Sequence, residues 1–196
     1  MLAIERSFRA RPKNLFVVIC RSSFQREGDR NDRIALMEKL QKPEMNIDES
    51  KIYEVEITTN RGTIMMDLDP EMAPLSVNNF VSLARDGFYD SLTFHRVVPG
   101  FVIQGGCPTG NGTGGPGYRF EDEPVKGEYT LGAVACANAG PDTNGSQFFI
   151  CIDDCTNKLT PDYNLFGYVT SGMDVAIATQ VGDTMSTVKV TEKDRA

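Results

Sequence analysis

The sequence predicts a mainly β protein: a closed antiparallel barrel whose ends two α-helices cover. Two observations carry this. Short runs of β-branched and aromatic residues recur from residue 52 to residue 191, most alternating in polarity and bounded by Gly, Pro, Asn or Asp. Within that span only two stretches, one after Pro74 and one after Gly172, show helical character, and closing the sheet on itself removes the exposed edges that so many strands would otherwise leave.

Residues 1–51 stand apart. They hold 11 Lys+Arg against 8 Asp+Glu, whereas the remaining 145 residues hold 9 against 19, so the charge balance reverses near Ile52. Asp32 suits the start of a short helix through Lys42, stopped by Pro43. Residues 22–33 are polar and charged like a linker. The segment is therefore read as an extension, poorly ordered or partly helical, and Met45 lies close enough to the domain start to serve as an initiator. The basic residues before the apolar run 15–20 imitate a signal peptide, but the run is too short and no small-residue cleavage site follows.

From residue 52 the pattern sharpens into a second unit, 52–196. Residues 52–57 and 63–68 alternate and are joined through Asn60-Arg61-Gly62, a hairpin signal. Pro74 opens a helix in which Val77, Phe80, Val81 and Ala84 fall on one stripe, with Gly87 as its stop. Residues 94–98 and 102–104 read as strands around a Pro99-Gly100 turn, with Phe94, Arg96 and Val98 on one face. Residues 131–137, 147–152, 165–169 and 187–191 are further strands, and 173–179 is a short helix. Phe148 and Phe149 must point to opposite faces, one into the core and one toward a groove. Glu121-Asp122-Glu123 reads as a solvated turn.

Composition narrows the function. A formal charge of −7 argues against nucleic acid as a partner. No apolar run reaches the ~20 residues of a membrane span. Five cysteines, Cys20, Cys107, Cys136, Cys151 and Cys155, lack disulfide-framework spacing, and one histidine in the whole chain leaves zinc without a ligand set. The composition points to the cytoplasm, with neither metal nor organic cofactor called for. Gly110-Asn111-Gly112-Thr113-Gly114-Gly115 matches G-x-G-x-x-G, yet Pro116-Gly117 follows where a dinucleotide fingerprint must open a helix. The glycines instead let this chain lie close beside another backbone, a ligand's included.

Four motifs then fall in one order: Phe94-His95-Arg96-Val97-Val98-Pro99-Gly100-Phe101-Val102-Ile103-Gln104-Gly105-Gly106; Asn111-Gly112-Thr113-Gly114-Gly115; Ala137-Asn138-Ala139-Gly140; and Asn144-Gly145-Ser146-Gln147-Phe148-Phe149. Together they closely resemble the cyclophilin family of peptidyl-prolyl cis-trans isomerases, over roughly residues 52–192. The resemblance implies an eight-stranded barrel with a surface groove, acting as a monomer on X-Pro bonds of peptides and of unfolded or native proteins, and assisting their folding. It makes Arg96 the catalytic arginine, supported by Gln104. Phe101, Val102, Phe149 and Leu159 line the proline pocket; Asn138 and Gln147 hold the substrate backbone; Gly112, Ala137, Ala139 and Tyr163 complete the groove. Three positions depart from the commonest pattern: Val102 for methionine, Lys158 for tryptophan and Tyr163 for histidine. Lys158 implies weakened binding of the family's cyclic-peptide inhibitor, cyclosporin. With Tyr163 it also leaves open a proline-peptide binding or assembly module of little activity.

The residue types suit the reaction. Rotation about an X-Pro bond meets a barrier of ~18 to 20 kcal/mol because nitrogen shares its lone pair with the carbonyl. At the twisted transition state that lone pair returns, and an arginine can donate to it. No proton transfer is required. His95, the only histidine, is read as a buried side chain with satisfied ring nitrogens, facing away from Arg96.

Overall fold

The structure, a computed structural model, describes residues 27–195, with side chains from residue 31. Nine strands form one antiparallel sheet: β1 (Lys51–Thr59), β2 (Gly62–Leu68), β3 (Leu92–Thr93), β4 (Arg96–Val98), β5 (Val102–Gly105), β6 (Ala133–Cys136), β7 (Phe148–Cys151), β8 (Leu165–Ser171) and β9 (Thr184–Asp194). Three helices are described, α1 (Glu27–Met37), α2 (Pro74–Arg85) and α3 (Met173–Ala178). Across the sheet the order is β3-β9-β1-β2-β8-β6-β7-β5-β4. The strand beyond the expected eight is β3, two residues pairing Leu92 with Met185, too short to leave a periodic signal.

The sheet curls into a half-barrel, and its margins meet by chain continuity rather than by a closing ladder. β3 and β4 lie at opposite ends of the strand order yet only Phe94 and His95 separate them in the chain. Phe94 N donates to Asp183 O at 2.9 Å and Gly182 N to Phe94 O at 2.9 Å, which ties this corner to the start of β9. The break also corrects the expected face. Phe94 is fully buried in the central core and Val97 packs against it, whereas Arg96 is exposed.

Alternation built the rest. Tyr53, Val55 and Ile57 of β1 and Ile64, Met66 and Leu68 of β2 are fully buried, with Glu54, Glu56 and Asp67 on the other face. The α2 stripe of Val77, Phe80, Val81 and Ala84 closes over them, each such large side chain worth about 1.5–3 kcal/mol of burial. Phe80 stacks on Tyr89 at 4.6 Å and meets Phe148 edge-on at 5.3 Å.

The acidic triple does more than face water. Glu123 accepts from Leu75 N at 2.8 Å, Ser76 N at 2.9 Å and Ser76 Oγ at 2.6 Å, so it caps α2 from 47 residues away. The N-cap residue, Ala73, has no side-chain acceptor to do so itself. Glu121 pairs with Lys42 at 2.5 Å, and Asp122 accepts from Asn144 Nδ2 at 2.7 Å.

Helix α1 begins and ends five residues earlier than the capping pattern at Asp32 predicts. It stops where Met37 enters the central core with no exposed surface, and Glu38 N to Ile34 O and Lys39 N to Leu36 O finish its last turn. The chain then runs along the domain to β1, with Leu40 and Ile47 packed on the core. Cys107, Cys136, Cys151 and Cys155 are free thiols; Cys20 and the apolar run 15–20 lie outside the described residues. No helix among the described residues is long and apolar enough to cross a membrane.

Candidate active site

The register of four strands assembles the site. Arg96 on β4 pairs with Gln104 on β5, Gln104 with Phe149 on β7, and Phe149 with Ala135 on β6. Directly paired residues share a face, so these side chains form one row. One pleat along, Val98, Val102 and Cys151 form a second. The intervening residues, Ile103, Ile150 and Val134, belong to the central core. Val102, Phe149, Cys151 and Ala135 instead build a separate apolar cluster on the opposite face, with Phe101, Leu159 and Tyr163 packed against it. Phe148 and Phe149 divide between the two clusters as alternation requires.

The polar edge of this cluster is a relay of side chains. Arg96 Nη1 donates to Gln104 Oε1 at 3.3 Å, and Gln104 Nε2 to Gln147 Oε1 at 3.0 Å. Gln147 Nε2 donates to Gly112 O at 2.8 Å and Gly114 O at 2.9 Å. Gln147 thus holds the glycine-rich loop. The Asn138 amide is likewise engaged, donating to Asp162 O at 2.8 Å. Ala137 N donates to Gln147 O and Ala139 N to Thr143 Oγ1, which sets the backbone of this wall. At Gly106, with φ +83°, a Cβ would stand 2.3 Å from Ser146 O, so the close-lying backbone that glycine permits here is the protein's own.

The apolar end is closed by the 151–164 stretch. The Tyr163 ring meets Phe149 edge-on at 5.5 Å and Tyr129 at 6.5 Å. Tyr129 OH donates to Tyr163 O at 2.7 Å, and burial pushes its hydroxyl pKa up to about 12. Leu159 N donates to Cys155 O at 3.0 Å, turning Leu159 onto the cluster. Lys158 spans the mouth, its Nζ donating to Gly100 O at 2.9 Å and Asp153 Oδ2 at 2.5 Å. That hydrogen bond holds the Asp153 carboxyl below the usual carboxylate range.

Of the site residues singled out from the sequence, Phe101, Val102, Phe149, Leu159 and Tyr163 lie in the apolar cluster, Gln104, Gly112, Ala137, Asn138, Ala139 and Gln147 line a cavity beside it, and Arg96 bonds to Gln104. Sequence reasoning missed Cys155 and Tyr129, both buried in the apolar cluster; neither stands in a motif. The cavity has a volume of 610 Å³, and its wall also includes Gly114, Gly117 and Arg119. His95 departs from expectation. Its ring nitrogens are buried without a hydrogen-bond partner, and the ring lies 3.5 Å from where a Cβ on Gly112 would stand. Burial, and then the nearby Arg96 charge, hold its imidazole below the usual histidine range against a smaller opposing pull from Gln147.

The cleft is thus apolar, with the Arg96 guanidinium at its border. Residues 54–195 match the model of the cyclophilin type peptidyl-prolyl cis-trans isomerase family. The chain is 51% identical over 129 residues to peptidyl-prolyl cis-trans isomerase B of Bacillus subtilis, covering 65% of this chain and 90% of that one. It is 46% identical over 136 residues to the peptidyl-prolyl cis-trans isomerase of Helicobacter pylori, covering 67% and 83%. Among solved structures, a cyclophilin type peptidyl-prolyl cis-trans isomerase of Cryptosporidium parvum, in the presence of the dipeptide Ala-Pro, superposes with a TM-score of 0.66 at 30% identity, covering 71% of this chain and 99% of that one. The chain belongs to the cyclophilin family, and it is a peptidyl-prolyl cis-trans isomerase.

Proposed function

We propose that Arg96 is the catalytic residue, donating to the proline nitrogen as that atom becomes pyramidal. The observation that carries this is the row Arg96–Gln104–Phe149, which sets a cation at the rim of an apolar cluster. A planar amide nitrogen accepts poorly, so the bond strengthens only as the peptide twists, which is the condition for catalysis. Gln104 fixes the guanidinium from behind and is itself fixed by Gln147. Phe101, Val102, Phe149, Leu159 and Tyr163 seat the ring, while Gly112, Ala137, Asn138, Ala139 and Gln147 shape the wall along which the substrate backbone runs.

One charge-assisted hydrogen bond is worth about 1.5–3 kcal/mol, and each ~1.4 kcal/mol is tenfold in rate. Arg96→Ala is expected to lose roughly ten- to 150-fold in kcat/KM on a proline tetrapeptide while unfolding at the same denaturant concentration. Turnover unchanged in the folded variant would remove Arg96 from the mechanism. Binding of proline peptides without accelerated cis–trans exchange in NMR would instead favour the binding-module reading.

The isomerase unit runs from residue 52, acts as a monomer in the cytoplasm on proline-containing segments of other proteins, and takes no nucleic acid. Lys158 supports a weakened cyclosporin site. Its ammonium is committed to Gly100 O and Asp153, and it offers less flat apolar area than an indole. Losing ~60–100 Å² of apolar contact costs about 1.5–2.5 kcal/mol, or roughly ten- to seventyfold in affinity. Lys158→Trp is expected to tighten cyclosporin more than it changes turnover; tight inhibition of the unmodified chain would overturn this.

A further inference from the structure

The stretch that closes the apolar end of the groove, residues 155–163, carries Leu159 and Tyr163, two of the side chains that seat the proline ring, yet it contains neither strand nor helix. Its interior is shaped by short local bonds: Lys158 N and Leu159 N donate to Cys155 O at 2.9 and 3.0 Å, and Asp162 N to Thr160 O at 2.8 Å. Its two ends are held by one residue. At the first, Cys155 N donates to Tyr129 O at 2.8 Å. At the second, the Tyr129 hydroxyl donates to Tyr163 O at 2.7 Å and accepts from Tyr163 N at 3.2 Å. A phenolic hydroxyl has one proton to give and lone pairs to receive, so a single oxygen satisfies both backbone groups of a residue that lies outside every strand. Asn138 Nδ2 also bonds Asp162 O at 2.8 Å, but that bond is exposed and leaves the Tyr163 backbone untouched.

The grip reaches the pocket through one ring. Tyr163 lies edge-on both to Phe149, at 5.5 Å, and to Tyr129, at 6.5 Å, so fixing its backbone also fixes the ring against Phe149. Tyr129 is itself buried in the apolar cluster, and with its pKa pushed up to about 12 by that burial its hydroxyl remains a donor at neutral pH. We propose that Tyr129 is a positioning residue for the isomerase reaction, clasping residues 155–163 at both ends and so fixing the Tyr163 ring as one wall of the proline pocket. This rests on the groove assignment above. A wall held in advance spares the substrate the entropy of ordering it. Tyr163 seats the ring and donates nothing to the proline nitrogen, so the clasp serves the planar and the twisted peptide alike and acts on KM rather than on kcat.

The test is a double-mutant cycle on a proline tetrapeptide with the full chain. Tyr129→Phe removes one oxygen and keeps the ring; it is expected to raise KM about threefold or more while kcat stays within about 1.5-fold. In a Tyr163→Ala background, which lacks the ring that the clasp holds, the same change is expected to move KM by no more than about 1.5-fold. A Tyr129 that merely supports the fold would lower the urea midpoint equally in both backgrounds and leave KM where it was. KM unchanged in folded Tyr129→Phe, or raised by the same factor in both backgrounds, overturns the proposal. Should Tyr129→Phe fail to fold, the unmodified chain decides: the Tyr163 amide is expected to exchange with solvent about tenfold or more slowly relative to that of exposed Thr160, and equal rates overturn the clasp. If the peptide binds without being isomerised, the Arg96 reading fails, and the same cycle read on Kd upholds or overturns the clasp by itself. A chain that binds no proline peptide overturns the groove assignment and the clasp with it.

Discussion

Asp183 shows what a single residue does at the seam of the half-barrel. Its carboxylate accepts from Arg61 Nε, Asn60 Nδ2 and Gln180 N, and the Arg61 bond, above all, holds its pKa at about 2. A carboxyl whose folded pKa is depressed stabilises above its unfolded value and stops doing so as pH falls through the folded one. Asp183→Asn is therefore expected to lower the urea midpoint at neutral pH, with the deficit closing between about pH 4 and pH 2. A deficit unchanged across that range would show that the ion pair is not its source. His95 carries the opposite lesson. With its pKa below 6.5 the imidazole stays neutral above that value, so turnover should show no step between about pH 6.5 and 8 that His95→Gln removes. A histidine beside the arginine proposed as catalytic invites a proton-transfer role that rotation about an amide bond does not call for. Its orphan ring nitrogens were not legible in the sequence, because partners are set by the corner at Phe94 and not by period.

At the scale of elements, what could be read in advance was whatever a period of two or 3.6 encodes. β1, β2 and α2 lie where Tyr53-Val55-Ile57, Ile64-Met66-Leu68 and the Val77-Phe80-Val81-Ala84 stripe place them, since burial of those side chains drives the elements. Elements defined by distant partners were not. β3 exists through its pairing with β9, and the cap of α2 comes from Glu123, whose acidic neighbours made it look like surface. Glu123→Ala is expected to cost about 1–2 kcal/mol, read as a lower urea midpoint at unchanged slope, with turnover little altered. A loss no larger than that of a solvated surface glutamate would return the triple to the status of a turn. The candidate site was legible for a different reason. Its residues lie in contiguous motifs on adjoining strands, so Arg96, Gln104 and Phe149 could be assigned together, whereas Tyr129 and Cys155 reach the cluster from loops.

For the whole molecule, the decisive pairing joins β1 to β9 along their full length, Lys51 opposite Asp194 and Thr59 opposite Met185. Lys193 adds bonds to Glu54 and Asp67 at 2.9 and 3.0 Å, and Arg195 to Asp69 at 2.7 Å. The first strand of the unit is thus flanked on one side by the last. Removing residues 184–196 is expected to abolish the cooperative unfolding transition; a truncated chain that still melted cooperatively would show that β9 merely decorates a finished sheet. The timing of synthesis follows from the same pairing. Some 125 residues separate Thr59 from Thr184, which at 5–20 residues per second is about 6 to 25 s of translation. Throughout that interval the nascent chain leaves the ribosome with one edge of β1 unclaimed, so this isomerase cannot complete its sheet until β9 has been made.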